Sequence, residues 1–309
     1  MSRRLLDCSA SDFKSMSKLG LLHSIRASEG RTLVCETVGS LEPLLGAVTN
    51  AELAASMGAD ILLLNAFDVQ HPAINALPAG TEPKDVVRTL KRLTGRVIGI
   101  NLEPVDASQV PAEDDHPTRL PLGRLASVEN ARLALELGVD FIVLTGNPGV
   151  GVSNPAITAS LKAISEAVGE TMILIAGKMH AAGIAREGGA NILTRADIDE
   201  FVAAGADIVL LPAPGTVPGI TVEIARELVT HAQSKGALTL TAVGTSQEGA
   251  DLAIIRQIAL AAKMTGTDMH HLGDAGYCGV ALPENILAYS IAIRGQRHTY
   301  ARMARSVNR

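Results

Sequence analysis

Gly58-Ala59-Asp60 opens the run ILLLNAF (residues 61–67), and the same punctuation returns three times. Gly138-Val139-Asp140 precedes FIVLTGN (141–147), Gly205-Ala206-Asp207 precedes IVLLPAP (208–214), and Gly266-Thr267-Asp268 precedes MHHLGDAG (269–276). Each junction follows an Ala-rich helical segment. Gly fits the left-handed position that ends a helix. The short apolar run behind it lacks polar alternation, as expected of a strand buried on both faces.

Four further apolar runs lie between these: RTLVCETVG (31–39), RVIGINLEP (96–104), TMILIAGKMH (171–180) and ALTLTAVGTS (237–246). Strands are therefore predicted to begin near residues 31, 59, 96, 140, 171, 206, 237 and 268. Helical patterns fill the gaps at 50–57, 84–93, 128–137, 155–168, 195–204, 222–234 and 252–264, and a last one runs from 283 to 305. Strict alternation of strand and helix implies a parallel sheet with right-handed crossovers. Eight such units, marked at every even strand, imply a closed α/β structure, the (β/α)8 or TIM barrel, with an N-terminal helical extension. An open doubly wound sheet is the alternative. No Gly-rich dinucleotide loop follows the first strand, which argues against it and against a nucleotide cofactor.

Residues 1–30 stand outside the repeat as an extension packed on the barrel, with Ser11 as a cap and Leu21, Leu22 and Ile25 set to cover the barrel bottom. Residues 31–309 form the single barrel domain. Two long loops, 104–125 with Glu113-Asp114-Asp115 and 181–194 with Gly188-Gly189, both follow strands.

Composition agrees. Of 309 residues, 47% are hydrophobic but only 2% aromatic, with no Trp, so the core is aliphatic, as barrel interiors favour. The net charge of −5 without a basic block, and so few aromatics, weigh against nucleic acid as a partner. No apolar stretch reaches the roughly 20 residues that span a bilayer, so no membrane partner is expected. Cys8, Cys35 and Cys278 form no metal spacing and read as reduced thiols of a cytoplasmic protein.

In such a barrel, polar residues at strand C-termini are the prime site candidates. Glu36, Asn65, Asp68, Asn101, Glu103, Thr145, Asn147, Lys178, His180, Thr245, Ser246, Glu248, His271 and Asp274 all fall there, and the opposite ends show only the junction Asp residues. Lys178 has three readings: a Schiff base with a carbonyl substrate, a fixed charge for a phosphate or carboxylate, or an ion pair with Glu36 or Glu103. Glu36, His180 and His271 are candidate acids and bases. His270 and His271 are strand neighbours, so only one faces the interior, and which one is open. Asn65, Asn101, Asn147, Thr245, Ser246, Gly273 and Gly276 are candidate substrate or phosphate contacts. The loops after strands 7 and 8 are the usual phosphate site of this fold. The turn 146–155 leads into a helix with Asn154 as cap and Pro155 at the first position, and Thr221 caps another. Asp68, Glu103 and Asp274 could hold Mg²⁺ or Mn²⁺, although no short ligand motif is present.

Beyond single residues, RLLDCSASDF (4–13), ELAASMGADILLLNAFDV (52–69), GINLEPVD (99–106), LTGNPGVGVSN (144–154), IAGKMHAAG (175–183), LLPAPGTVPGIT (210–221), TAVGTSQEGAD (241–251) and HHLGDAGYCG (270–279) together resemble a bacterial TIM-barrel family. That family is found beside sugar phosphotransferase operons. Its members carry labels such as haloacid-dehalogenase-like hydrolase or phosphoenolpyruvate phosphonomutase. The haloacid dehalogenase motif DxDx(T/V) is absent, since the first strand ends Cys35-Glu36-Thr37-Val38-Gly39. The resemblance implies a phosphorylated sugar or a related small acid as ligand. Three functions follow as expectations. The first is a lyase or isomerase acting on a small phosphorylated carbohydrate-like substrate. The second is a metal-dependent hydrolase or lyase, and the third a non-catalytic sugar-phosphate sensor. The final helix, with Tyr289, Ile291, Ile293 and Tyr300, either builds a homo-oligomer surface or covers the barrel wall.

Overall fold

The computed structural model describes residues 3–106, 120–148, 151–181 and 188–309. Eight strands form a closed, all-parallel barrel in sequence order: β1 (Thr32–Val38), β2 (Ile61–Asn65), β3 (Val97–Leu102), β4 (Phe141–Leu144), β5 (Ile173–Gly177), β6 (Ile208–Pro212), β7 (Leu238–Val243) and β8 (Met269–Leu272). β8 pairs back onto β1, with His271 beside Val34. The structure is thus the TIM barrel that the repeated junction implies. Among the described residues no helix is long and apolar enough to cross a membrane.

The four junctions share one construction. Each Asp opens an even strand and accepts the backbone N–H of a residue in the preceding odd strand. Asp60 takes Leu33 at 2.8 Å, Asp140 takes Ile98 at 2.8 Å, Asp207 takes Leu174 at 2.8 Å and Asp268 takes Thr239 at 2.9 Å. These carboxylates satisfy donors at the start of a strand, where the ladder has no partner to offer. Their charges are met differently. Lys91 reaches Asp140 at 2.6 Å, and Lys18 reaches Asp207 at 2.7 Å. Asp60 is fully buried between Arg294 and Arg302, and Arg302 Nε lies 2.7 Å from it. Arg302 also donates to the carbonyls of Leu5 and Cys8, so the C-terminal helix grips the N-terminal segment through it.

Alternation along the strands sorts the apolar residues into two layers. Val34, Leu63, Val97, Phe141, Val143, Ile175, Leu210, Leu240 and Met269 fill the interior, and Leu5, Leu21 and Ile25 close it from below. Leu33, Leu62, Leu64, Ile98, Ile142, Leu174 and Leu272 face outward and pack under the helices. Phe141 crosses the interior because Gly99 makes room: a Cβ there would lie 2.2 Å from its ring.

The surrounding helices are α1 (Ala10–Ser15), α2 (Lys18–Arg26), α3 (Asn50–Ser56), α4 (Val86–Thr94), α5 (Val128–Leu137), α6 (Asn154–Val168), α7 (Arg195–Ala203), α8 (Val222–Ser234), α9 (Leu252–Met264) and α10 (Pro283–Met303). Thr221 caps α8 as expected, accepting the Ile224 N–H at 3.4 Å. Two caps differ from expectation. Ser9 rather than Ser11 caps α1, because the side chain of Asp12, three residues on, can bond back to the Ser9 N–H at 2.7 Å. Ser153 rather than Asn154 caps α6, its hydroxyl accepting the Ala156 N–H at 3.3 Å. Tyr289 and Ile293 of α10 are buried against the wall, whereas Tyr300 is exposed.

Candidate active site

The polar residues of the barrel mouth continue the interior rows of the strands. Two positions beyond Val34 is Glu36, beyond Leu63 is Asn65, and beyond Val143 is Thr145. Asn101 and Glu103 follow Gly99 in the same step, and His271 follows Met269. A cavity of about 320 Å³ opens there. Glu36, Asn65, Asn101, Glu103, Thr145, Asn147, His180 and Asp274 line it, all of them candidates from the sequence. So do Arg124, Met179 and Glu248. Gly244 leaves the space that Met179 occupies, since a Cβ would come within 2.3 Å of its sulfur.

A chain of side-chain contacts joins four of these positions to His271. Asn65 Nδ2 donates to Asp274 Oδ2 at 2.8 Å. Asn101 Nδ2 donates to Asn65 Oδ1 at 3.1 Å and to Glu36 Oε1 at 2.7 Å. Glu36 Oε2 stands 3.3 Å from His271 Nε2, within ion-pair distance but off the line of a hydrogen bond. Glu36 can only accept when ionised, which fixes the Asn101 amide and, through it, that of Asn65. His271 thus faces inward beneath the cavity. His270 faces outward. Its Nε2 meets the Gly30 carbonyl at 3.0 Å, its Nδ1 lies 3.3 Å from the Tyr289 hydroxyl, and burial pushes its pKa down to about 4.

Burial also shifts the groups around the cavity. It pushes Asp274 up to about 6, helped by the nearby charge of Glu36 and opposed by the Asn65 N–H. Glu248 is raised by burial as well. Glu103 is raised by burial against the pull of Arg124, with which it forms an ion pair. His180 is lowered by burial, and the charge of Glu36 works the other way. Such shifts arise because a charged form loses hydration in a partly dry cleft.

Other expected residues lie elsewhere. Lys178 is fully buried, in step with the outward-facing Leu174 and Ala176, and does not line the cavity. Asp68 caps a turn, accepting the N–H groups of Gln70 at 2.9 Å and His71 at 3.1 Å. The Thr245 hydroxyl donates to the Thr216 carbonyl at 3.0 Å, and Ser246 sits at positive φ next to it. Gly273 underlies Glu248, whose Oε1 would be 2.6 Å from a Cβ there, and Gly276 packs on the backbone of Val280 and Ala281. Glu248 Oε1 accepts the Ala275 N–H at 3.1 Å. A carboxylate therefore already occupies one backbone donor of the loops after β7 and β8. The acidic run Glu113-Asp114-Asp115 lies outside the described residues. Among the described residues, no three His, Cys, Asp or Glu side chains are grouped to hold a metal ion.

The cavity residues that sequence reasoning passed over are Arg124 and Met179. Arg124 sits well past the end of β3, so no strand-end rule marks it. Met179 stands between two polar neighbours and reads as a core residue.

The fold recurs in solved structures. A variant carboxyl transferase domain of Rhizobium etli pyruvate carboxylase, solved with pyruvate, superposes with a TM-score of 0.55 at 14% identity, over 96% of this chain and 53% of that one. The same domain with oxalate gives 0.55 at 14%, over 97% and 52%. A candidate lyase/mutase from Burkholderia cenocepacia gives 0.50 at 17%, over 88% and 82%. This chain spans about half the length of the carboxyl transferase domains, and likeness at such identities shows the barrel alone. No curated protein matches the sequence. Residues 6–309 match a domain of unknown function, and the chain belongs to that family, DUF7916.

Proposed function

We propose that this barrel is a lyase- or isomerase-type enzyme that moves a proton on a small polar substrate bound over the ends of β1, β2, β3 and β8. The observation that carries this reading is the relay from Asp274 through Asn65 and Asn101 to Glu36 and His271. It presents two carboxyl groups to one cavity on a rigid amide bridge. Asp274, pushed up to about 6, exchanges its proton close to neutral pH, as an efficient general acid or base does. Glu36 is the second proton carrier, and Asn65 and Asn101 hold the two in place. His180, lowered by burial, is largely neutral at pH 7 and is available as a base on the β5 side. Lys178 touches no substrate in this reading, and no phosphate anchor is assigned to the loops after β7 and β8, where Glu248 and Asp274 stand.

The test needs no knowledge of the product. The protein is incubated in D2O with a panel of small hydroxy and carbonyl compounds, and exchange of C–H protons is followed by ¹H NMR. The wild type is expected to exchange at least one compound, and Glu36→Gln and Asp274→Asn to lose that exchange. Exchange that survives both substitutions, or a panel with none at any pH, counts against the proposal.

A further inference from the structure

The cavity holds buried hydrogen-bond acceptors that none of the described residues satisfies. Asn101 is 6% exposed, and its Nδ2 is spent on Glu36 and Asn65, which leaves Oδ1 without a partner. Glu248 is 1% exposed, and with Oε1 on the Ala275 N–H its Oε2 has no partner either. A buried acceptor left unpaired costs free energy that a ligand can recover by donating to it. The carboxyl groups of Glu36 and Asp274 line the same space. Donors are scarce. Arg124 has an unpartnered Nε, but its guanidinium is already matched by Glu103. An anionic ligand would meet Glu36, Glu248 and Asp274 with like charge. A neutral hydroxyl compound brings donors but no compensating charge.

We propose that this cavity takes a small ligand bearing a protonated primary amine, whose N–H groups serve Asn101 Oδ1 and Glu248 Oε2 between the carboxyl groups of Glu36 and Asp274. The proposal rests on the reading of this cavity as the active site and names its substrate class. An ammonium supplies both missing qualities at once: three donors and one positive charge. Charge-assisted hydrogen bonds of this kind are the stronger ones.

Calorimetric titration of the full chain tests it with matched probes. 2-Aminoethanol and D-glucosamine are each compared with the compound carrying hydroxyl in place of the amine, ethane-1,2-diol and D-glucose. Choline, which keeps the charge and loses the N–H groups, is the third arm for 2-aminoethanol. At least one amine is expected to bind saturably, with its hydroxyl counterpart weaker by about tenfold or more, since the exchange leaves buried acceptors unpaired. Choline should likewise be much weaker than 2-aminoethanol. Asn101→Leu and Glu248→Gln should each weaken the amine by about tenfold. Should either variant fail to fold, the comparison of amine, hydroxyl and trimethylammonium on the wild type decides alone. Equal binding of amine and hydroxyl compounds, no binding of either amine, or binding of Mg²⁺ or Mn²⁺ in place of amines would each overturn the proposal. Amine binding without deuterium exchange upholds it and removes the proton-transfer reading. Exchange on neutral compounds with no preference for amines does the reverse.

Discussion

Replacing Asp60 by Asn removes a buried negative charge that faces three arginines. Asp60 is fully buried, Arg294 and Arg302 contact it directly, and Arg96 lies close enough to feel its charge. Burial by itself would raise the Asp60 pKa, but Arg294 and Arg302 hold it below the ordinary carboxylate value. Breaking a buried pair from one side costs about 3–5 kcal/mol, because the remaining charge stays buried without compensation. For a 309-residue chain the unfolding entropy near the midpoint is about 0.65 kcal/mol/K, so the loss corresponds to a fall in Tm of roughly 5–8 °C. The control is Asp140→Asn at the equivalent junction. Both Asp140 and its partner Lys91 have side chains 29% exposed, and such pairs contribute about 0–1 kcal/mol. The Asn carbonyl can still accept the Ile98 N–H, so Tm should move by no more than about 2 °C. Differential scanning calorimetry of the two variants gives the comparison. The sign with pH follows from the lowered pKa: the contribution of Asp60 is complete above about pH 4, its unfolded value, and fades as pH falls through the folded value. Equal shifts for the two variants, or an Asp60→Asn loss below about 1 kcal/mol, would refute the assignment of this cluster as a buried ionic clasp.

Asp274 should behave in the opposite sense. Its pKa is raised to about 6, so the fold favours its protonated form. That stabilisation is present below about pH 4 and is lost as pH rises through 6. Asp274→Asn is therefore expected to raise Tm at pH 8 and to leave it nearly unchanged at pH 4, and melting curves at the two pH values check this. Gly177→Ala should be strongly destabilising, since φ is +152° and the new Cβ would lie 1.9 Å from the Leu210 carbonyl oxygen. A loss of about 2 kcal/mol or more is expected in urea unfolding, because the obstacle is backbone that cannot turn aside. Tyr289→Phe removes a long contact to His270 and should cost about 0.5–1.5 kcal/mol in the same assay.

The barrel was legible because both faces of every strand are covered. Continuous apolar runs then stand out, and the Gly-x-Asp junction marks where each even strand starts. The same property hid the phase of the strands. Met269-His270-His271-Leu272 has no alternation, so only the pairing of β8 with β1 and β7 shows that His271 points inward and His270 toward α10. Glu36, Asn65, Asn101, Glu103 and Asp274 were visible as strand-end residues, but their connection was not, since Asn65 meets Asp274 across 209 positions of sequence. Asp68 was misleading because β2 stops at Asn65 and the chain turns before reaching it. The arginines around Asp60 were invisible for the same reason of distance: Arg294 and Arg302 lie in the final helix, 234 and 242 positions from Asp60.

The side-chain clips at the barrel floor also define where the wall is weakest. They tie β1 to β2, β3 to β4, β5 to β6 and β7 to β8, so the staves of this cask are fastened in pairs. Among the described residues no such Asp clip ties β2 to β3, β4 to β5 or β6 to β7, although Arg96 Nε reaches the Ala59 carbonyl at 2.8 Å across the first of these seams. At the seam where the cask closes, β8 against β1, His270 Nε2 meets the Gly30 carbonyl at 3.0 Å, and the arginines of α10 lock onto Asp60 beside it. A cut between β4 and β5 would thus part the chain along an unclipped seam and leave two whole pairs on each side. The mouth would come apart with it, because Glu36, Asn65, Asn101 and Thr145 would belong to one half and His180, Glu248 and Asp274 to the other. Fragments that reassemble would therefore report on the site only when the closing seam had re-formed.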